Sequence, residues 1–206
     1  MVQGNDKVKS ISIQNLEKLL DKLVDGKLGA WYEMLPPDDP IFQHNKKKAK
    51  LNVEEVNSHL LRAYILAGNN HPAKDFSDLF SKDNPIGVLT YEWSLGLGKK
   101  KGVLQVLNDS RLLQDSRVPK DLNGKPILRV WIDVLFINQL SKNIPVELAI
   151  AQGYYILCEL HIVAGSSTLL DRGWCLWELG LRAHAQKDSL IIGALQEKVR
   201  PVSFHV

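Results

Sequence analysis

The spacing of apolar residues changes near residue 85. Before it, hydrophobic side chains recur every three or four positions. Ile13, Leu16, Leu19, Leu20 and Leu23 form one helical stripe after Ser12, a residue suited to an N-cap, and Gly26 ends it. A turn follows at Pro36-Pro37-Asp38-Asp39-Pro40. Asn52 with Glu55 has capping-box spacing and predicts a second helix with Val53, Val56, Leu60, Leu61, Tyr64 and Ile65 on one face, stopped at Gly68-Asn69-Asn70. Asp75 to Phe80 suggests a short third helix.

After residue 85 short apolar runs alternate with helical stretches. Strands are predicted at Ile86 to Tyr91, Ile127 to Asp133, Leu160 to Ala164 and Ser189 to Ala194, with an edge strand at Pro201 to Val206. Helices are predicted at Gly102 to Leu113, Pro145 to Leu157 and Arg172 to Gln186. This alternation implies a parallel sheet covered on both faces, an α/β fold, preceded by a helical N-terminal segment. The division is residues 1–84 and 85–206. Ligands of open parallel sheets sit beyond the carboxyl ends of the strands. Those ends are Thr90 to Ser94, Asp133-Val134 and Ala164 to Ser167.

The bulk properties narrow the class. The chain has 206 residues, 45% hydrophobic and 24% charged, as a globular protein does. A formal net charge of +3 is too weak to indicate nucleic acid, and the lysine run at 46–48 and 50 lacks interleaved aromatics. Two cysteines, Cys158 and Cys175, exclude a disulfide scaffold and suggest a reducing compartment. No apolar run reaches the length of a membrane span, and the polar start lacks a signal peptide's apolar core. A cytoplasmic protein without membrane or nucleic-acid partner is expected. The six histidines show no metal-binding spacing, and His161 reads as a core residue with satisfied partners.

Three segments carry candidate chemistry. Trp174 and Glu178 are four apart on one helical face, after a strand. An indole can stack on a flat base, and a carboxylate one turn away can meet sugar hydroxyls or positive charge. Equally, Trp174 fits a core position and Glu178 an ion pair with Arg182. Asp133 closes a strand where it can hydrogen-bond a ribose or simply end the strand, and Asn138 and Gln139 follow it. Gly96, Gly98 and Gly102 with Lys99 to Lys101 suggest either a phosphate-cradling turn or a solvated loop, without the dinucleotide fingerprint's spacing. Cys175 is a further nucleophile candidate.

These residues resemble two related families, the Toll/interleukin-receptor (TIR) domain and the fungal heterokaryon-incompatibility (HET) domain. VLTYEWS at 88–94 is similar to their first-strand motif. RVWIDVLFINQ at 129–139 resembles the HET signature W-I-D-x-x-C-I-N-Q, with Phe136 in place of Cys. HIVAGSSTLLDRGWCLWELGLRA at 161–183 resembles the TIR strand, serine-rich loop and Trp-Cys-x-x-Glu-Leu. The motifs occur in family order over about residues 85–195, and nothing in 1–80 matches. The chain departs from TIR enzymes in having Glu92 where a basic residue is frequent, and in lacking the common glycine after Asp133.

The resemblance implies a flavodoxin-like parallel sheet and an NAD+ glycohydrolase acting in immunity or cell death. NAD+ is then substrate, with no cofactor or metal. Glu178 is implied as catalytic. Tyr91, Glu92 and Trp93 are implied to line the pocket, with Ser94 and Asp133 at the strand ends and Trp174 beside the base. Self-association is implied as well. Such chemistry needs one carboxylate only. Nicotinamide leaves a pyridinium neutral and unprotonated, so the general acid of ordinary glycosidases is dispensable. Three alternatives remain: a non-enzymatic TIR-type interaction module, a nucleoside or nucleotide N-glycosidic hydrolase or transferase, and a dinucleotide-binding oxidoreductase using the glycine loop. The last lacks the acidic residue about 20 positions on.

Overall fold

A computed structural model describes residues 8–41, 50–100, 102–165 and 167–192. The lysine run at 46–48, Lys101, Ser166, the end of the fourth predicted strand and the edge strand at 201–206 lie outside these residues.

The strands are β1 (Ser10–Ser12), β2 (Phe80–Ser81), β3 (Gly87–Tyr91), β4 (Arg129–Trp131), β5 (Leu160–Ala164) and β6 (Leu190–Ile192). They form one sheet in the order β2-β1-β4-β3-β5-β6. β3 pairs in parallel with β4 and β5, and β5 with β6, whereas β1 runs antiparallel to both β2 and β4. The sheet is thus mostly parallel, with flanking helices.

The helices are α1 (Ile13–Val24), α2 (Lys27–Glu33), α3 (Ser58–Leu66), α4 (Pro72–Asp75), α5 (Val103–Leu107), α6 (Ser110–Leu113), α7 (Asp133–Phe136), α8 (Ile144–Leu157) and α9 (Gly173–His184). Ser12 caps α1 by accepting from the Asn15 amide at 3.2 Å, and all five residues of the stripe are buried. The Asn52–Glu55 capping box is present but closes only a 3-10 turn at Val53–Glu55. The longer helix restarts at Ser58 under a second cap, Asn57, whose side chain accepts from Leu60 N at 3.0 Å. Asn108 and Asp109 break the expected 102–113 helix into α5 and α6, Asp109 capping the second by accepting from the Arg111 amide at 2.9 Å.

Residues 1–84 are not helical throughout: they supply β1 and β2, and β1 covers the exposed edge of β4. Their helices also cover one face of the sheet. Leu89, Val130, Ile132, Leu160 and Ile162 share a core with Leu16, Leu20, Leu60 and Leu61 of α1 and α3. The alternate strand residues face the other way. Val88 and Trp131 pack with Ala151 and Tyr155 of α8, and Val163 with Cys175 of α9. This is the period-two alternation of a sheet buried on both sides. The texture change at residue 85 therefore does not mark a break in the core. α8 is apolar all round but buries only Ala151 and Tyr155; Ile144, Val146, Ile150 and Leu157 are exposed.

Candidate functional site

A cleft of about 360 Å³ opens where β3 and β4 end and α9 begins. Tyr91 ends β3, Trp93 follows it, and Asp133 opens α7 just after β4. These three line the cleft with Trp174 and Cys175 from the first turn of α9. Arg172 precedes that helix, Arg62 reaches in from α3, and Ile137, Gln139, Ile144, Glu147 and Leu148 form the remaining wall. A parallel sheet predicts a ligand crevice in this position, because its loops and helix starts collect beyond the carboxyl ends of the strands.

Asp133 is the cleft's best-held group. It is 3% exposed. Its carboxylate accepts from Tyr91 Oη at 2.9 Å, Trp93 Nε1 at 2.7 Å and the Val134 amide at 2.7 Å. Burial raises its pKa, while these donors and the Arg172 charge pull the other way. Tyr91 Oη also lies 2.5 Å from Ser58 Oγ, so the first turn of α3 is fastened to the cleft floor. Ser58 N donates to Trp93 O at 3.2 Å, and His59 packs edge-on to the Trp93 ring at 5.6 Å.

Glu178 does not line the cleft. It sits one turn of α9 deeper, 2% exposed, behind Trp174 and Cys175. Thr90 Oγ1 donates to its Oε2 at 2.7 Å, and Tyr155 Oη lies 2.5 Å from its Oε1. Tyr155 Oη is also 2.8 Å from the Leu89 carbonyl. One hydroxyl proton serves one acceptor, so a protonated Glu178 satisfies both contacts: the carboxyl donates to Tyr155, and Tyr155 to Leu89. Electrostatics agree. Burial, and then the nearby Asp133 charge, push the Glu178 carboxyl up to about 8. At neutral pH the resting group is mostly the neutral acid. The Trp174 indole Nε1 is close enough to favour the ionised form, yet it is buried without a well-formed hydrogen bond.

A hydrogen-bonded chain extends behind Glu178. Thr90 Oγ1 is 2.8 Å from His161 Nε2, and His161 Nδ1 is 2.7 Å from Ser189 Oγ. Burial pushes the His161 imidazole down to about 3, so it stays neutral. His161 is a core histidine with both nitrogens partnered, as its place in a strand suggested.

No family model, curated protein or solved structure matches this chain. Its site is read from its own geometry.

Of the sequence candidates, Tyr91, Trp93, Asp133 and Trp174 meet at the cleft, with Glu178 directly behind. Glu92 and Ser94 do not line it. Alternation along the strand end turns Glu92 away from Tyr91, and its carboxylate accepts from Thr168 Oγ1 at 2.9 Å, across to the loop after β5. Ser94 is exposed in the turn that follows. The alternative Glu178–Arg182 ion pair does not form. Arg182 is itself buried and donates to the carbonyls of Cys158 at 2.8 Å, Asp188 at 2.9 Å and Tyr155 at 3.1 Å, capping the end of α8. Burial pushes the Cys175 thiol up to about 12, which leaves no thiolate nucleophile.

The glycine loop is neither an open phosphate turn nor a free solvated loop. The Glu54 carboxylate occupies its amides, accepting from Lys99 N at 3.1 Å and Lys100 N at 2.9 Å. A side chain at Gly96 would place Cβ 2.3 Å from the Glu54 carbonyl oxygen, so the glycine is required by close approach. Leu97 N donates to Val56 O at 2.7 Å, and Lys99 pairs with Glu17 of α1. The loop is a seam that fastens α1 and the turn at Val53–Glu55 to the sheet.

Sequence reasoning named Thr90 only as part of a strand end and Arg172 only as a helix start, and missed Arg62 and Tyr155. Thr90 and Tyr155 look like ordinary strand and helix residues. Arg62 lies on a helix whose place beside β3 has no local signature. Among the described residues no cluster of three or more His, Cys, Asp or Glu could hold a metal ion, and no helix is long and apolar enough to cross a membrane.

Proposed function

We propose that this chain hydrolyses the nicotinamide–ribose bond of NAD+ in the cleft between Trp93, Asp133 and Trp174, with Glu178 as the carboxylate that meets the developing positive charge. The observation that carries this reading is the position of Glu178: one helical turn beneath an aromatic wall, at the strand ends, in surroundings that hold it neutral until a cation arrives. The strand order fits the finer fold assignment too. Taken alone, the parallel strands run second-first-third-fourth, the flavodoxin-like pattern, and the ligand crevice of such sheets lies at the point where the order reverses. The TIR and HET resemblance supplies the substrate, the role in immunity or cell death, and self-association.

The chemistry follows from charge. A bound pyridinium, and then the ribosyl oxocarbenium-like state, places positive charge beside Glu178 and favours its ionised form. Burial, which disfavours the carboxylate when no cation is near, also strengthens its attraction to that charge. To reach the sugar, Glu178 must exchange Thr90 or Tyr155 for the substrate. The proton on its Tyr155 side is lost to solvent as the cation binds and is regained at the end of the cycle, while the chain from Ser189 through His161 and Thr90 donates toward Glu178 Oε2 and so supports the ionised form. Asp133, fixed by three donors, is placed to accept from a ribose hydroxyl. Nicotinamide departs neutral, water adds at the anomeric carbon, and its lost proton balances the reaction.

The test is nicotinamide release from NAD+ by purified protein over a concentration series, beside Glu178→Gln. Release by the wild type and loss in the variant are expected. No release at any concentration overturns the reading in favour of an interaction module. Full turnover by Glu178→Gln removes Glu178 from the chemistry.

A further inference from the structure

Two guanidinium groups line the cleft, and neither has an ion-pair or hydrogen-bond partner among the described residues. They arrive from different parts of the chain. Arg172 stands immediately before α9, after β5, near enough to Asp133 for its charge to be felt there. Arg62 lies on α3, four residues after Ser58, and so on the same helical face as the hydroxyl 2.5 Å from Tyr91 Oη. The strands β4 and β5 flank β3. α3 is fastened to the end of β3, and Arg172 follows β5, so both cations border the strand end that forms the cleft floor.

Elsewhere this protein satisfies such groups internally. The loop amides at Lys99 and Lys100 hold Glu54, and Arg111 and Arg117 pair with Asp109 and Asp115 at 2.8 and 2.7 Å. Arg62 and Arg172 stand out by facing a cavity instead. The aromatic residues Trp93 and Trp174 and the fixed carboxylate of Asp133 suit a base and a ribose; the cleft's other carboxylate, Glu147, accepts from the Asn138 amide at 3.1 Å, and among the described residues neither carboxylate forms an ion pair with the two guanidiniums. A diphosphate supplies two anionic groups next to the ribose of such a ligand, and arginine forks bind phosphate oxygens in pairs. At about 360 Å³ the cleft is at the small end of ligand sites (~300–1,000 Å³). It holds one nucleoside half, so the phosphates fall at its rim, where Arg62 is exposed.

We infer that Arg62 and Arg172 bind the diphosphate of a nucleoside diphosphate or dinucleotide, and that α3 of the N-terminal segment thereby completes the substrate site. The inference deepens the NAD+ reading and rests on it for the base and ribose half. The catalytic segment at 85–206 then carries only part of its own binding site.

Binding is read by quenching of cleft tryptophan fluorescence, with ADP, adenosine and inorganic phosphate as probes. This measurement does not require turnover. ADP is expected to bind more tightly than adenosine or phosphate. Arg62→Gln and Arg172→Gln should each weaken ADP about tenfold or more, with adenosine unchanged. Arg62→Lys should recover part of the loss, since charge is kept and the fork is not. Thermal melts confirm that the variants are folded. Equal affinity for ADP and adenosine, or wild-type ADP affinity in folded Arg62→Gln, overturns the proposal. Phosphate alone binding as tightly as ADP reduces it to a non-specific anion patch and overturns it too. The two readings separate cleanly. ADP binding without nicotinamide release sinks the cleavage reading only. Release with no Arg62 effect on ADP or on KM for NAD+ sinks this one only.

Discussion

The glycine loop at 96–102 and the cleft around Asp133 begin as equals, each a strand end with residues suited to a nucleotide. Folding separates them. In the loop the chain provides its own anion, Glu54, and the backbone passes so close to it that Gly96 has no room for a side chain. In the cleft Asp133 is held by Tyr91 and Trp93 and Glu147 by the Asn138 amide, and behind it Glu178 is held by Thr90 and Tyr155, while among the described residues two arginines and a buried indole N–H remain unmatched. Residue type does not distinguish a seam from a site. What distinguishes them is whether the fold leaves polar groups without internal partners at a cavity.

Changes at the two places should therefore have different consequences. The largest effect is expected in the cleft: Glu178→Gln should lower nicotinamide release about 10²–10³-fold, the cost of one preorganised electrostatic group (~3–4 kcal/mol). Its fold should survive, because Gln keeps a donor for Tyr155 and an acceptor for Thr90.

The same residue gives a pH signature in stability. Its pKa is raised from 4.5 to about 8 in the folded state. The stabilising contribution is complete below pH 4.5 and is lost as pH rises through 8, because the unfolded chain ionises first. Each pKa unit is about 1.4 kcal/mol, so the change across this window is a few kcal/mol. Denaturant melts of the wild type minus those of Glu178→Gln should fall across it. A flat difference would mean the carboxyl is ionised at rest. His161, pushed down from 6.5 to about 3, acts oppositely: its contribution is present above 6.5 and is lost on acidification towards 3.

At the seam, Gly96→Ala should destabilise by about 1–3 kcal/mol or more, since the Glu54 carbonyl in its way is backbone. Glu54→Ala should cost about 1 kcal/mol, as partly exposed amides find water instead. Turnover per folded molecule should not change in either. A selective loss of NAD+ affinity in Glu54→Ala would restore the loop as a phosphate site.

Much of the sheet was legible because its strands are short apolar runs bounded by turn residues, and α8 and α9 because their lengths and starts are marked. Boundaries shifted where caps compete, as at Asn52 and Asn57, or where Asn108 and Asp109 interrupt a stripe. β1 was hidden because Ser10–Ser12 is too short for any period to register. The cleft residues at strand ends were legible through the geometry of parallel sheets. Their partners were not, because Ser58, Arg62 and Tyr155 reach the site through contacts distant in sequence. Glu92 was misplaced for a local reason: its neighbour Tyr91 faces the cleft, and a strand end cannot point both residues the same way.

The 2.5 Å contact between Ser58 and Tyr91 has a practical corollary. A fragment cut at residue 85 would bare one entire layer of apolar strand residues and leave β4 as a sticky, unpaired border open to aggregation. Inactivity of such a fragment would report a collapsed binding surface, not the absence of an enzyme.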